Sequence, residues 1–166
     1  MIRVLINVAM VILLAGCAAP KTVTLTNSFD PDAVAWASKK GTAKLVGSAV
    51  IQTTGGIPRT CAGRQVALVP VSTYSSERVL NIYGSTAKGY VSRQPNMERV
   101  PAYEATFRLT ACDGQGAFEF DDLPAGEFFA ITQVVWQARE YVVEGGVLML
   151  RVSVEDGKTK KIVLVP

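Results

Sequence analysis

The sequence predicts an all-β sandwich of about seven strands with one or two short helices, on three observations. Short runs of alternating apolar and polar residues recur along the chain, separated by turn residues. The stretch 112–131, CDGQGAFEFDDLPAGEFFAI, shows this best: Asp113-Gly114 and Leu123-Pro124-Ala125-Gly126 are turn sequences. Between them Phe118 and Phe120 share one face of a strand, and Ala117 and Glu119 share the other. Composition adds the third: 49% of 166 residues are hydrophobic and 19% charged, which suits one domain with a sizeable core.

Composition also excludes function classes. A net charge of +3, without a Lys/Arg block, argues against a nucleic-acid partner. The chain has no histidine, which removes Ser-His-Asp, Cys-His and His-ligated metal chemistry together.

Residues 1–16 have the pattern of a targeting segment. Arg3 supplies a positive start, and residues 4–14 are apolar except for Asn7, too short a run for a comfortable membrane span of about 20 residues. Leu14-Ala15-Gly16-Cys17 then matches the lipobox of bacterial lipoproteins, where the Cys is acylated and becomes the new N-terminus. The alternatives are an ordinary secretory signal cleaved near Ala18 or Ala19, or an uncleaved anchor. Cys17 is thus the expected lipid attachment, and the membrane an expected partner through acyl chains worth about 0.8 kcal/mol per buried methylene. Ala18, rather than Asp, after the Cys points to the outer membrane of the cell envelope.

Residues 17–42 are expected to hold the lipidated Cys, a Thr-rich tether with a short strand at 22–26, and a short helix. Asp30 would cap that helix and Pro31 would open it, with Lys39-Lys40-Gly41 at its end. Its apolar residues are Val34 and Trp36; Trp36 either covers an open end of the sandwich or serves as a ligand platform. The sandwich itself would occupy 43–166. Strand 43–53 carries Val46, Ala49 and Ile51, a turn follows at 55–58, and strand 65–71 alternates Val66, Leu68 and Pro70 with Gln65, Ala67 and Val69. A helix capped by Ser75 or Ser76 would bring Val79, Leu80 and Tyr83 onto one face and stop at Gly84. Residues 85–104 look like a long irregular connection.

Strand 105–111 leads back to the Phe118/Phe120 motif. Residues 127–137 form the longest strand candidate, apolar on both faces: Phe128, Ala130 and Val134 on one, Phe129, Ile131 and Val135 on the other. Such a strand needs a cover on each side, and the 74–84 helix is the candidate for one. Tyr141-Val142-Val143 is expected to precede a Glu144-Gly145-Gly146 turn. Strands 147–154 and 159–165 flank Asp156-Gly157, a hairpin signal.

The Asp113-Gly114 turn followed by Gly116, Phe118, Phe120, Leu123, Pro124, Gly126 and Phe128 resembles the carboxypeptidase regulatory-like domains, also called transthyretin-like or prealbumin-like. Gly47, Gly55-Gly56, Pro58, Gly63, Val66 and Leu68 fit the opening hairpin of the same family. The resemblance covers residues 44–165 apart from an insertion, 74–104. It implies a prealbumin-like sandwich acting as an accessory, adhesive, glycan-associated or scaffolding module. It carries no catalysis, because the His residues of the family's enzymes and of the carboxypeptidases are missing. Fold does not fix function in any case.

Cys61 and Cys112 remain as a pair once Cys17 is assigned to lipid. In an oxidising compartment they are candidates for a disulfide, with free thiols or a redox role as alternatives. Asp113, Asp121 and Asp122 match no calcium-loop spacing, which favours turn residues over a metal site. Neither cofactor nor metal is expected, and no carboxylate pair in a cleft suggests an enzyme. The insertion holds four of the five Tyr in the chain. Tyr74, Arg78, Tyr83, Tyr90, Arg93 and Tyr103 form a candidate binding surface, since Tyr and Arg are enriched at binding hot spots. Structural cover, protein interface and glycan contact all stay open for it. The expected function is a non-catalytic, lipid-anchored envelope module that docks an unidentified envelope protein. The alternative is a carbohydrate- or peptidoglycan-binding module that stacks sugars on Tyr and on Trp36 or Trp136.

Overall fold

The computed structural model describes residues 22–166. The expected signal segment 1–16 and Cys17 lie outside the described residues. The elements run β1 (Thr22–Val23), a 3-10 helix (Asp32–Ser38), β2 (Ala43–Gln52), β3 (Pro58–Thr60), β4 (Gln65–Pro70) and α1 (Thr73–Tyr83). They continue with β5 (Lys88–Val91), β6 (Asn96–Met97), α2 (Pro101–Glu104), β7 (Arg108–Ala111), β8 (Ala117–Leu123), β9 (Gly126–Arg139), β10 (Val142–Val154) and β11 (Thr159–Leu164).

The chain is an all-β sandwich. One sheet has five strands in the order β5-β10-β9-β4-β7. In the other, β2 pairs with β11 in parallel and with β8 and β3 antiparallel. A small parallel pair, β1 with β6, lies apart. The sandwich therefore has nine strands rather than about seven, because β3 and β5 were not foreseen.

Strand β9 organises both cores. Its even residues face the second sheet, so Phe128, Ala130 and Val134 join Leu45, Leu68 and Leu148 in the inter-sheet core. Phe129 points the other way and packs with Met149 and Val69 under Tyr74, Val79 and Tyr103. The helix α1 is thus the cover that a doubly apolar strand requires. Each large apolar side chain so buried contributes roughly 1.5–3 kcal/mol. Phe118, Phe120 and Leu123 all point inward from β8.

Several elements differ from expectation, each for a physical reason. In β2 the inward residue is Leu45, not Val46, because pairing with β8 sets Leu45 opposite Phe120. Apolar residues occupy both phases of that strand, so alternation alone could not choose. Helix α1 is capped by Ser72, whose hydroxyl accepts from the Ser75 N–H while Ser75 Oγ accepts from the Ser72 N–H. Starting a turn earlier places Tyr74 inside the helix and in the core. Gly84 ends α1 as expected.

Residues 85–104 are not irregular, since they supply β5, β6 and α2. The β9–β10 turn is at Glu140-Tyr141, and Glu144-Gly145-Gly146 continues β10 instead of turning. Asp156-Gly157 makes no hairpin either. Strand β10 is paired with β9 along its length and with β5 at Val147–Leu150, and the chain crosses to the second sheet, where β11 aligns parallel to β2.

The N-terminal segment is part of the fold from Thr22 onward. Phe29 packs against the second core, and the Glu77 carboxylate accepts from the Thr26 and Asn27 N–H groups and from Asn27 Nδ2. Those hydrogen bonds hold the Glu77 pKa down at about 2. Arg108 donates to the carbonyls of Ala37 and Lys39, fixing the end of the 3-10 helix. Trp36 closes one end of the sandwich, its ring 5.1 Å from that of Phe128. It also lies against Gly126, where a Cβ would come within 2.4 Å of the indole, so this turn position requires glycine.

Cys61 and Cys112 are joined by a disulfide across a separation of 51 residues. It joins the residue after β3 to the residue after β7, and so links the two sheets. On the chain-entropy model such a loop is worth about 4 kcal/mol. Replacing both cysteines with Ala is expected to lower unfolding free energy by about that amount, read from urea titration. An unchanged midpoint would show that the cross-link is energetically idle.

Candidate functional site

Tyr90 of β5 and Trp136 of β9 come together at the end of the sandwich opposite Trp36. Their positions follow from strand register: Tyr90 lies opposite Leu148, and Trp136 opposite Glu144. Here the five-stranded sheet runs on past the end of β2. A hollow of about 550 Å³ results, lined by Trp136, Tyr90, Arg93, Glu144, Gln52 and Thr54 among others. Trp136 is partly buried against the inter-sheet core, while Tyr90 is 38% exposed.

The glycine pair Gly145-Gly146 makes this arrangement possible. A Cβ on Gly146 would come 2.8 Å from the Tyr90 ring, and one on Gly145 would come 2.9 Å from the Trp136 ring. Gly145 has φ +102°, which residues with a Cβ rarely adopt. Both rings can therefore lie against the β10 backbone. The Tyr90 hydroxyl donates to the Gly145 carbonyl at 3.0 Å, which fixes that ring's orientation. Around these two rings stand a guanidinium, a carboxylate, an amide and hydroxyls. The arrangement suits a ligand with an apolar face and a rim of hydrogen-bonding groups.

The structure divides the six residues expected to form a binding surface. Tyr74 and Tyr103 are only 5% and 6% exposed and stack edge-to-face with ring centroids 5.0 Å apart. Arg78 lies over both rings and donates to the Tyr74 hydroxyl and the Glu98 carbonyl. Tyr83 packs its ring on Gly89; its hydroxyl is buried with no hydrogen-bond partner among the described residues. Burial pushes the Tyr83 pKa up to about 12 and raises that of Tyr103 as well. These four residues are cover over β9, with the tyrosines turned inward. Tyr90 and Arg93 line the hollow beside Trp136, whereas Tyr74 and Arg78 border a smaller one of about 290 Å³ against the N-terminal segment.

Gln52, Thr54 and Glu144 were not singled out from the sequence. Glycines inside the apolar run 142–150 were the available signal, since glycine within a strand marks close approach of another group. The three aspartates are turn and surface residues. Asp113 Oδ1 accepts from the N–H groups of Gln115 and Ala117, Asp121 pairs with Lys44, and Asp122 with Lys40. No group of three or more Cys, Asp or Glu is placed to hold a metal ion among the described residues.

A second hollow of about 700 Å³ lies over the outer face of the second sheet, against Val46, Ser48, Thr110, Ala117, Lys161 and Val163. It is larger, but its one aromatic, Phe118, is buried in the core. Of its two carboxylates, Asp113 is engaged in its turn and Glu119 with Lys44. The Tyr90–Trp136 groove is the better candidate.

No protein-family model matches the chain, and no curated protein matches it. Among solved structures, a proposed carbohydrate-binding protein from Pseudomonas aeruginosa shares the fold, with a TM-score of 0.71 and 20% identity. The match covers 84% of this chain and 99% of the other. At that identity the likeness shows the fold alone.

Gly145→Ala is expected to cost about 2 kcal/mol, because the added Cβ meets the Val134 carbonyl and strains a positive φ. In a Trp36→Phe background it should also shift the emission of Trp136. Unaltered stability and emission together would show that the glycine does not shape the groove.

Proposed function

We propose that this chain is a non-catalytic glycan-binding module of the cell envelope, with the Tyr90–Trp136 groove as its site. The observation behind this reading is the pairing of two oriented aromatic rings with Arg93, Glu144, Gln52 and Thr54 in one hollow. Sugar rings present an apolar C–H face that stacks on aromatics, and hydroxyls that both donate and accept. Trp and Tyr provide such a face at small entropic cost, and Arg, Gln, Thr and Glu answer the hydroxyls. The description of the Pseudomonas aeruginosa protein supports the same ligand class, subordinate to the groove.

The protein-docking reading rested on the insertion, and it loses Tyr74 and Tyr103 to the core. The absence of histidine from the sequence supports a binding role rather than a catalytic one. Kinship with the carboxypeptidase regulatory-like domains belongs to the same proposal, resting on the Gly116-to-Phe128 motif. So does the location. We take Cys17 as the acylated residue and the outer membrane as its support, on the lipobox and Ala18. No helix among the described residues is long and apolar enough to cross a membrane.

Co-sedimentation of the full lipoprotein with purified peptidoglycan, followed by titration with soluble N-acetylglucosamine oligomers, tests the ligand class. Trp136→Ala is expected to weaken binding roughly tenfold, as loss of a central aromatic contact does. Equal binding by wild type and variant would remove the groove from consideration. The anchor is tested separately by metabolic labelling with palmitate: the wild type should incorporate label and Cys17→Ser should not. Label on the Cys17→Ser protein, or none on the wild type, would refute acylation at that residue.

A further inference from the structure

The tip of the β9–β10 hairpin carries an aromatic side chain that the fold does not use. Glu140 and Tyr141 close the hairpin, with Arg139 paired to Val142. Tyr141 is 91% exposed, the most exposed large hydrophobic side chain among the described residues. Its backbone is left-handed, φ +62°, a conformation that it shares with only one other non-glycine residue among those described, Asp122. Glycine or asparagine would hold that turn with less strain. A strained, exposed aromatic without an internal contact points to something outside the chain.

The tip is continuous with the groove. Val143 is 70% exposed and also lines the hollow, and Val142 beside it is 43% exposed. Exposed apolar side chains therefore continue from the groove to the tip on both faces of the hairpin. Three residue steps lead from Glu144, opposite Trp136, to Tyr141, about 10 Å at the usual strand rise. That span exceeds one sugar ring.

We propose that Tyr141 is an outer binding position of the same site, and that the ligand is an extended, unbranched glycan chain rather than a single sugar. The inference rests on the glycan reading and deepens it. The groove holds one ring against Trp136 and Tyr90, and a later ring of the same chain stacks on Tyr141. Arg139 and Glu140 flank that ring with a donor and an acceptor.

The test is titration of the full lipoprotein, in detergent micelles, with β-1,4-linked N-acetylglucosamine oligomers from disaccharide to hexasaccharide. Wild-type affinity is expected to rise with chain length. In Tyr141→Ala the gain between disaccharide and hexasaccharide should collapse, roughly tenfold, and Tyr141→Phe should keep it. Tyr141→Gly should lose the same gain while unfolding at a higher temperature, which separates binding from folding.

A Tyr141→Ala protein with wild-type length dependence would overturn the proposal. So would Tyr141-dependent sedimentation with anionic phospholipid vesicles, or Tyr141-dependent dimerisation, without that length dependence. If wild type binds no oligomer of any length, the glycan reading itself fails and the outer position falls with it.

Discussion

Strand β9 carries phenylalanines on opposite faces at consecutive positions, Phe128 and Phe129, both fully buried. Water cannot be allowed on either side of such a strand, so each face needs its own cover. The second sheet covers the Phe128 face, and α1 with the aromatic cluster beneath it covers the other. Most of the architecture follows from that demand. The residues after β4 are recruited as a lid, Tyr103 packs edge-to-face with Phe107 and Phe29, and the N-terminal segment is strapped on by Glu77.

The same demand explains the ends of the sandwich. The inter-sheet core must be sealed where β9 emerges from beneath the second sheet, and a Trp sits at each end. Trp36 seals the Gly126 end, wedged against a glycine and Phe128. Trp136 closes the other end incompletely, because β9 and β10 continue beyond the last residues of β2. Two side chains of one type thus do unlike work. Both are partly buried against the core, but Trp36 lies against Gly126 and Phe128 whereas Trp136 borders the polar groups of the hollow. A groove arises where the longer hairpin outruns the shorter sheet.

Legibility of the site differed by residue. Tyr and Arg in the insertion pointed to an interaction surface, but residue type says nothing of the direction in which a side chain points. Tyr74 and Tyr103 turned inward because a sheet face needed covering, whereas Tyr90 lies on an edge strand that pairs with β10 at Leu148. Gln52 and Glu144 are unremarkable in sequence and meet only through the stacking of the two sheets. The Gly145-Gly146 pair was visible, yet glycines serve turns and close approaches equally well. The neighbouring rings decided between those uses.

Local chemistry accounts for what could be read from residues alone. The β class, the Phe118/Phe120 face, the Gly84 stop and the doubly buried character of residues 127–137 all depend on side-chain periodicity and turn preference. The cysteine pair was legible as a candidate too, and the structure joins Cys61 to Cys112. Partner choice was not. Whether Asp156-Gly157 closes a hairpin or carries the chain to the other sheet depends on how the strands pair, a property of the assembled sheets. The phase of β2, the inward turn of Tyr74 and Tyr103 and the meeting of Tyr90 with Trp136 have the same origin. Each is settled by contacts between segments far apart in the chain, whose energies no local pattern contains.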